Sequence, residues 1–196
     1  MTIATKIERR MTADEFYELP SFGHSGGKIE LVNGLLRMQP HYPSGAHATI
    51  QANPARLIGN HLVAKRPGCR VATEGGVRTT LDARRNVRRP DVTVTCAPHT
   101  KGERALPSPV VIIQILSPRH QDEQWESIRA LANIASVQDI MVVDAETIDV
   151  QVFHREDGRS DWPDEPVRAG AGAIVQLTSL DLELAVTDIY WGTSVE

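Results

Sequence analysis

Residues 110–118 read VVIIQILSP. From Val110 to Leu116, six of seven places hold valine, isoleucine or leucine. An unbroken run of this kind suits a strand covered on both faces, because no alternation with polar residues is left for a wet side. The exception is Gln114, at mid-length. A buried amide must be hydrogen-bonded, yet it brings no charge for metal or acid–base chemistry. Ser117-Pro118 then places proline where the first turn of a helix accepts it. Trp125, Ile128, Leu131 and Ala135 form one face of that helix and read as core packing.

Working outward, DIMVVDA (139–145) and IDVQVFH (148–154) predict two further strands, the second alternating by two. Residues 155–171 read as a polar loop, and AIVQLTSLDLEL (173–184) as the segment that closes the sheet before a short terminal turn. Upstream, TADEFYEL (12–19) predicts a short helix capped by Thr12 and stopped by Pro20. SFGHSGG (21–27) reads as a loop. Asn33-Gly34 between KIELV and LLRMQ is a hairpin signal, with strands over 28–32 and 35–39. Glu30 then points away from Ile29 and Leu31. Residues 46–65 predict a long helix with an Ile50, Leu57, Ile58, Leu62 stripe, and Pro54 is set to kink or divide it. Residues 69–96 read as strands, with VRTTL and DVTVTCA joined by the polar run DARRNVRR. The mixture is α/β (α+β). With no internal repeat and no boundary signal, a single domain over 1–196 is expected.

Composition narrows the class. The chain has 196 residues, 41% hydrophobic and 23% charged, enough for one sizeable core. No apolar run approaches the ~20 residues that span a bilayer. MTIATKIERRMTADEF lacks the apolar stretch of a signal peptide, so a cytoplasmic protein is expected. Cys69 and Cys96 form no CxxC pair, so neither a zinc site nor a disulfide framework is indicated, and both are expected as small buried residues. A net charge of -4 argues against a sequence-indifferent DNA coat, although Arg84, Arg85, Arg88 and Arg89 gather within six residues. HExxH and Walker motifs are missing from the sequence.

RRPDVTV is the sharpest local feature. Pro90 keeps its neighbours extended and Asp91 opens a β-branched strand. A carboxylate at the mouth of a strand suits a hard divalent cation, though Pro-Asp alone is also common in turns. Context strengthens the first reading. Gln114 follows 23 residues later on its apolar strand, and Glu30 comes from an earlier hairpin; one sheet can gather all three.

The ordered set IELVNG, MQP, a following histidine, RPDVTVTC, PVVIIQILSP and IASVQDIMVVD resembles the Uma-type restriction endonucleases of the PD-(D/E)XK nuclease superfamily, over roughly residues 11–190. The resemblance implies a restriction-endonuclease-like core, a mixed central β-sheet flanked by α-helices. It implies Mg²⁺ or Mn²⁺ held by carboxylates, which with a lysine activates water against a DNA phosphodiester. It also implies a homodimer. The family's catalytic positions fall on Glu30, Asp91, Gln114 and Ser127. Its metal ligands fall on Asp91, Gln114 and Glu30, and its helix-borne histidine falls on His47. His47 joins Arg84, Arg85, Arg88 and Arg89 as candidate nucleic-acid contacts. The acidic residue ahead of the family's lysine has two candidates, Asp122 and Glu123.

Two positions depart from that pattern. Gln114 stands where the resemblance expects a glutamate, and Ser127 where it expects the lysine. An amide offers a metal only a carbonyl oxygen, and a hydroxyl offers no cation. No lysine follows Lys101, which leaves Arg119 or Arg129 as substitutes. Two functions are therefore expected. One is metal-dependent DNA hydrolysis at a degenerate site, needing Mg²⁺ or Mn²⁺. The other is a catalytically inactive, cofactor-free member of the fold that binds nucleic acid or serves assembly.

Overall fold

A computed structural model describes residues 10–19, 27–39, 44–156 and 161–196. Pro20 and most of the loop expected over 21–27 lie outside the described residues. In chain order the elements are α1 (Ala13–Tyr17), β1 (Lys28–Val32), β2 (Leu35–Gln39), α2 (Gly45–Lys65), β3 (Arg70–Thr73), β4 (Val77–Arg78), β5 (Val87–Arg88), β6 (Val92–Thr95), β7 (Pro109–Leu116), α3 (Gln121–Ala132), β8 (Asp139–Asp144), β9 (Val150–His154), β10 (Val167–Ala169), β11 (Ile174–Leu177), β12 (Leu182–Ala185) and α4 (Val186–Ile189).

β7 sits inside a six-stranded sheet of order β10-β9-β8-β7-β6-β3. It runs antiparallel to β6 and parallel to β8, and α3 supplies the crossover that a parallel pair needs. Both faces of β7 are covered, which is why it carries no hydrophobic alternation. Val111, Ile113 and Ile115 join Ile50, Ile58 and Leu62 of α2 in the larger core. Ile112 and Leu116 pack with Ile128 and Leu131 of α3 on the other face. Alternation assigns Gln114 to this second face. Arg155 gathers the carbonyls of the turn that follows α3, at 2.7 Å from Ile134 and 3.0 Å from Ala135.

The hairpin forms as expected. Asn33 and Gly34 both have positive φ, 52° and 79°, as the two-residue turn demands. A Cβ at Gly34 would come within 2.6 Å of Arg10. β1 and β2 belong to a second sheet, of order β2-β1-β5-β4. Ile29, Leu31 and Val87 pack there against Ala13 and Phe16 of α1. That helix begins with a capping box between Thr12 and Glu15.

Several boundaries differ from the sequence reading. α2 continues unbroken through Pro54, which is buried; only one intrahelical donor is lost, and Asn53 beside it is anchored to the carbonyls of Ile189 and Trp191. The polar run 82–89 contains β5, and the loop 155–171 contains β10, both short strands held by pairing partners. β11 and β12 form a hairpin of their own and do not close the main sheet. A 3₁₀ turn at Pro118–His120 precedes α3, and Ala135 lies past the end of that helix. The cysteine expectation also fails. β3 and β6 pair with Arg70 opposite Thr95, so Cys69 and Cys96 face each other one step out, and the two are disulfide-bonded. Cys96 is exposed, not buried.

Candidate active site

The site forms where β1 meets the main sheet. Val92 of β6 pairs with Ile113 of β7, which sets Asp91 beside Gln114. Gln114 Nε2 donates to Asp91 Oδ2 at 2.5 Å, and the Ile115 amide donates to the same oxygen at 2.7 Å. The other oxygen, Oδ1, holds the Lys28 ammonium at 3.0 Å and lies 3.6 Å from His47 Nε2. The Asp91 carbonyl accepts from Gln51 Nε2 at 2.9 Å and from the Glu74 amide at 3.1 Å. Asp91 is 2% exposed. Burial alone would raise its pKa, but Lys28, His47 and the Ile115 amide outweigh it and hold the carboxyl at about 2. Burial pulls the Lys28 ammonium down, and the Asp91 and Glu30 carboxylates more than compensate, so its pKa is raised.

Glu30, two residues after Lys28, lies on the same side of β1. Its Oε1 accepts from the Arg89 amide at 2.8 Å and from the Ser127 hydroxyl at 3.4 Å. Arg88 is buried with its guanidinium 3.8 Å from Glu30 Oε2 and 3.4 Å from Glu126, and burial lowers its pKa. Arg37 completes the group at 2.8 Å from Glu126. Gln124 donates to the Ile115 carbonyl at 2.8 Å and accepts from the Ser117 amide at 3.0 Å, which fastens α3 to the end of β7 and carries Ser127 to Glu30.

Asp91, Gln114, Lys28 and His47 therefore form one cluster, and Glu30, Ser127, Arg88 and Glu126 a second beside it; His47 is only partly buried. The arginine cluster is divided. Arg88 turns inward and Arg89 pairs with Glu74 at 3.0 Å, while Arg84 and Arg85 are exposed. Arg119 and Arg129 are exposed as well, and Glu123 faces His120 at 3.1 Å. The cation on Asp91 is Lys28, which the sequence reading missed. The available signal was alternation, because Lys28 and Glu30 had to project together from β1. Gln51, Gln124 and Glu126, also missed, carry no local signature.

The donor set does not fit a divalent ion. Both Asp91 oxygens are engaged, one by an ammonium. Lys28, Arg37 and Arg88 balance Glu30, Asp91 and Glu126, whereas Mg²⁺ or Mn²⁺ calls for an excess of oxygen anions. Among the described residues, no group of three or more His, Cys, Asp or Glu is arranged to hold a metal ion.

Comparison with known proteins agrees with this frame. A family model described as "Putative restriction endonuclease", Uma2, matches residues 13–187. The chain belongs to the Uma2 family. A crystal structure titled as that of a "putative nuclease belonging to DUF820", from Anabaena variabilis, superposes with a TM-score of 0.68 at 23% identity, covering 92% of this chain and 97% of that one. The restriction-endonuclease-like fold expected from the sequence is borne out by that likeness. No curated protein matches the sequence. Among the described residues of this Uma2-family chain, no helix is long and apolar enough to cross a membrane.

Proposed function

We propose that this Uma2-family chain keeps the nuclease frame and a DNA partner but does not cleave DNA. One observation carries the reading: each departing residue is spent on a surviving carboxylate. Gln114 donates to Asp91 and Ser127 donates to Glu30. Positions that would present an anion and a catalytic ammonium instead donate hydrogen bonds inward, so the site is a closed polar network. Removing charge from both positions removes most of the electrostatic work that phosphoryl transfer requires. The DNA partner rests on family membership, and the exposed Arg84 and Arg85 are the candidate phosphate contacts.

The rival reading is metal-dependent hydrolysis, with Mg²⁺ or Mn²⁺ displacing Lys28 from Asp91 and Gln114 contributing its carbonyl. The two separate in one experiment. Full-length protein is incubated in excess with supercoiled plasmid and with duplex and single-stranded oligonucleotides, with Mg²⁺, Mn²⁺ or EDTA, while fluorescence anisotropy follows binding. The expected result is salt-sensitive binding with no metal-dependent product. A metal-dependent product that disappears in Asp91→Ala overturns the proposal in favour of hydrolysis. Absence of binding to any DNA overturns its DNA half and leaves assembly as the role.

A further inference from the structure

We propose that the Lys28 ammonium is the resident cation of the Asp91 centre. It plugs a divalent-ion site made by Asp91 Oδ1 and His47 Nε2, so the natural centre is metal-independent and loss of the ammonium opens it to an ion such as Mn²⁺ or Co²⁺. This rests on the reading of the centre as closed, but concerns what closes it.

Four observations support it. The ammonium lies 3.0 Å from Oδ1, the one Asp91 oxygen that faces no backbone donor. His47 Nε2 lies 3.6 Å from the same oxygen. Two ligands each about 2.1 Å from one ion stand ~3.0–3.5 Å apart, so little rearrangement is needed for both to share a cation. The carboxylate is already oriented, because Oδ2 is held by the Ile115 amide and Gln114, the kind of outer support that metal-ligating carboxylates use. Lys28 and His47 are mostly buried but keep 14% and 12% of their side chains exposed, so the cluster meets solvent at one edge, from which water can complete a coordination shell once the ammonium is gone. An imidazole and a carboxylate suit Mn²⁺, Co²⁺ or Zn²⁺ better than Mg²⁺. A purely structural Lys28 would show none of this; its removal would only loosen the fold.

The test uses EDTA-stripped full-length protein and no DNA, so its outcome is independent of whether the chain cleaves. Mn²⁺ binding is measured by calorimetry and Co²⁺ binding by visible absorption, on the natural chain, Lys28→Met and Lys28→Gln, and on Lys28→Met combined with Asp91→Asn or with His47→Ala. The natural chain should give no saturable isotherm and no melting shift with Mn²⁺. Lys28→Met and Lys28→Gln should gain affinity ~100-fold or more, since an ammonium no longer repels the entering ion across a few ångströms. Either second substitution should cancel the gain. The proposal is overturned if the folded variants gain nothing, if the gain survives Asp91→Asn or His47→Ala, or if the natural chain itself binds Mn²⁺ through Asp91. Should both single variants unfold in EDTA, recovery of their folded circular dichroism by Mn²⁺ supports the proposal, and failure to recover overturns it.

Discussion

Removing the Lys28 ammonium should change the response of this protein to acid. In the natural chain the Asp91 carboxyl is lowered from 3.8 to about 2. That difference corresponds to ~2 kcal/mol of folding stability, present in full above the unfolded value near 4 and lost as pH falls through about 2. Lys28 works in the opposite sense. Its raised pKa gives stability that is complete below 10.5 and lost as pH rises through the higher folded value. Asp91 is 2% exposed in the natural chain, so Lys28→Met leaves a buried carboxylate without its ammonium. An uncompensated buried charge costs ~3–5 kcal/mol, and the Gln114 and Ile115 donors keep the figure at the lower end, ~3 kcal/mol at pH 7. With Lys28 gone, only His47 and the Ile115 amide oppose burial, so the Asp91 pKa should rise from its natural value and the variant's deficit against the natural chain should shrink as pH falls from 7 to 4.5. Lys28→Met/Asp91→Asn should recover most of the loss, because an amide needs no counter-ion. Urea denaturation in EDTA, followed by circular dichroism at both pH values, measures all three. A Lys28→Met cost below ~0.5 kcal/mol, with the pH response of the natural chain unchanged, would refute the reasoning.

Gln114→Glu sets a second carboxylate where Nε2 now lies 2.5 Å from Asp91, so one of the two must hold a proton. Stability at pH 7 should fall by ~1–3 kcal/mol and return in acid, as denaturation midpoints will show. Adding Ser127→Lys should relieve part of that loss, and equal midpoints for the single and double variants would count against it. Replacing Cys69 and Cys96 by serine, or adding reductant, should cost ~3.5 kcal/mol for a cross-link 27 residues apart, read as a lower Tm. Arg84→Ala with Arg85→Ala should leave stability within ~0.5 kcal/mol while reducing the slope of log binding against log salt by ~2 on duplex DNA. An unchanged slope removes this pair as a phosphate contact.

The strand that anchors the fold was legible because its composition states its burial. VVIIQIL admits no wet face, and the bounds of β7 follow from it directly. Asn33-Gly34 likewise fixed the hairpin, since few other residue pairs accept positive φ at both places. β5 and β10 were hidden because strands of two or three residues owe their existence to neighbours, and a polar, arginine-rich run gives no hint of them. The disulfide was hidden for the same reason, because only the pairing of β3 with β6 brings Cys69 to Cys96. At the site, the sequence pointed to the carboxylates and the family resemblance to the two departures, but neither gave their partners. Lys28 entered the sequence reading only as the first residue of β1. Alternation places it on the side of Glu30, but its partner Asp91 lies 63 residues away in sequence, and that pairing is set by the fold alone.

The claim that the centre is closed by its own donors and by Lys28 is tested most directly by anomalous diffraction from crystals of the natural chain soaked in Mn²⁺. The account predicts no anomalous peak between Glu30, Asp91 and Gln114, with the Lys28 ammonium still on Asp91. A peak within coordination distance of Asp91, with Lys28 turned away, would contradict it.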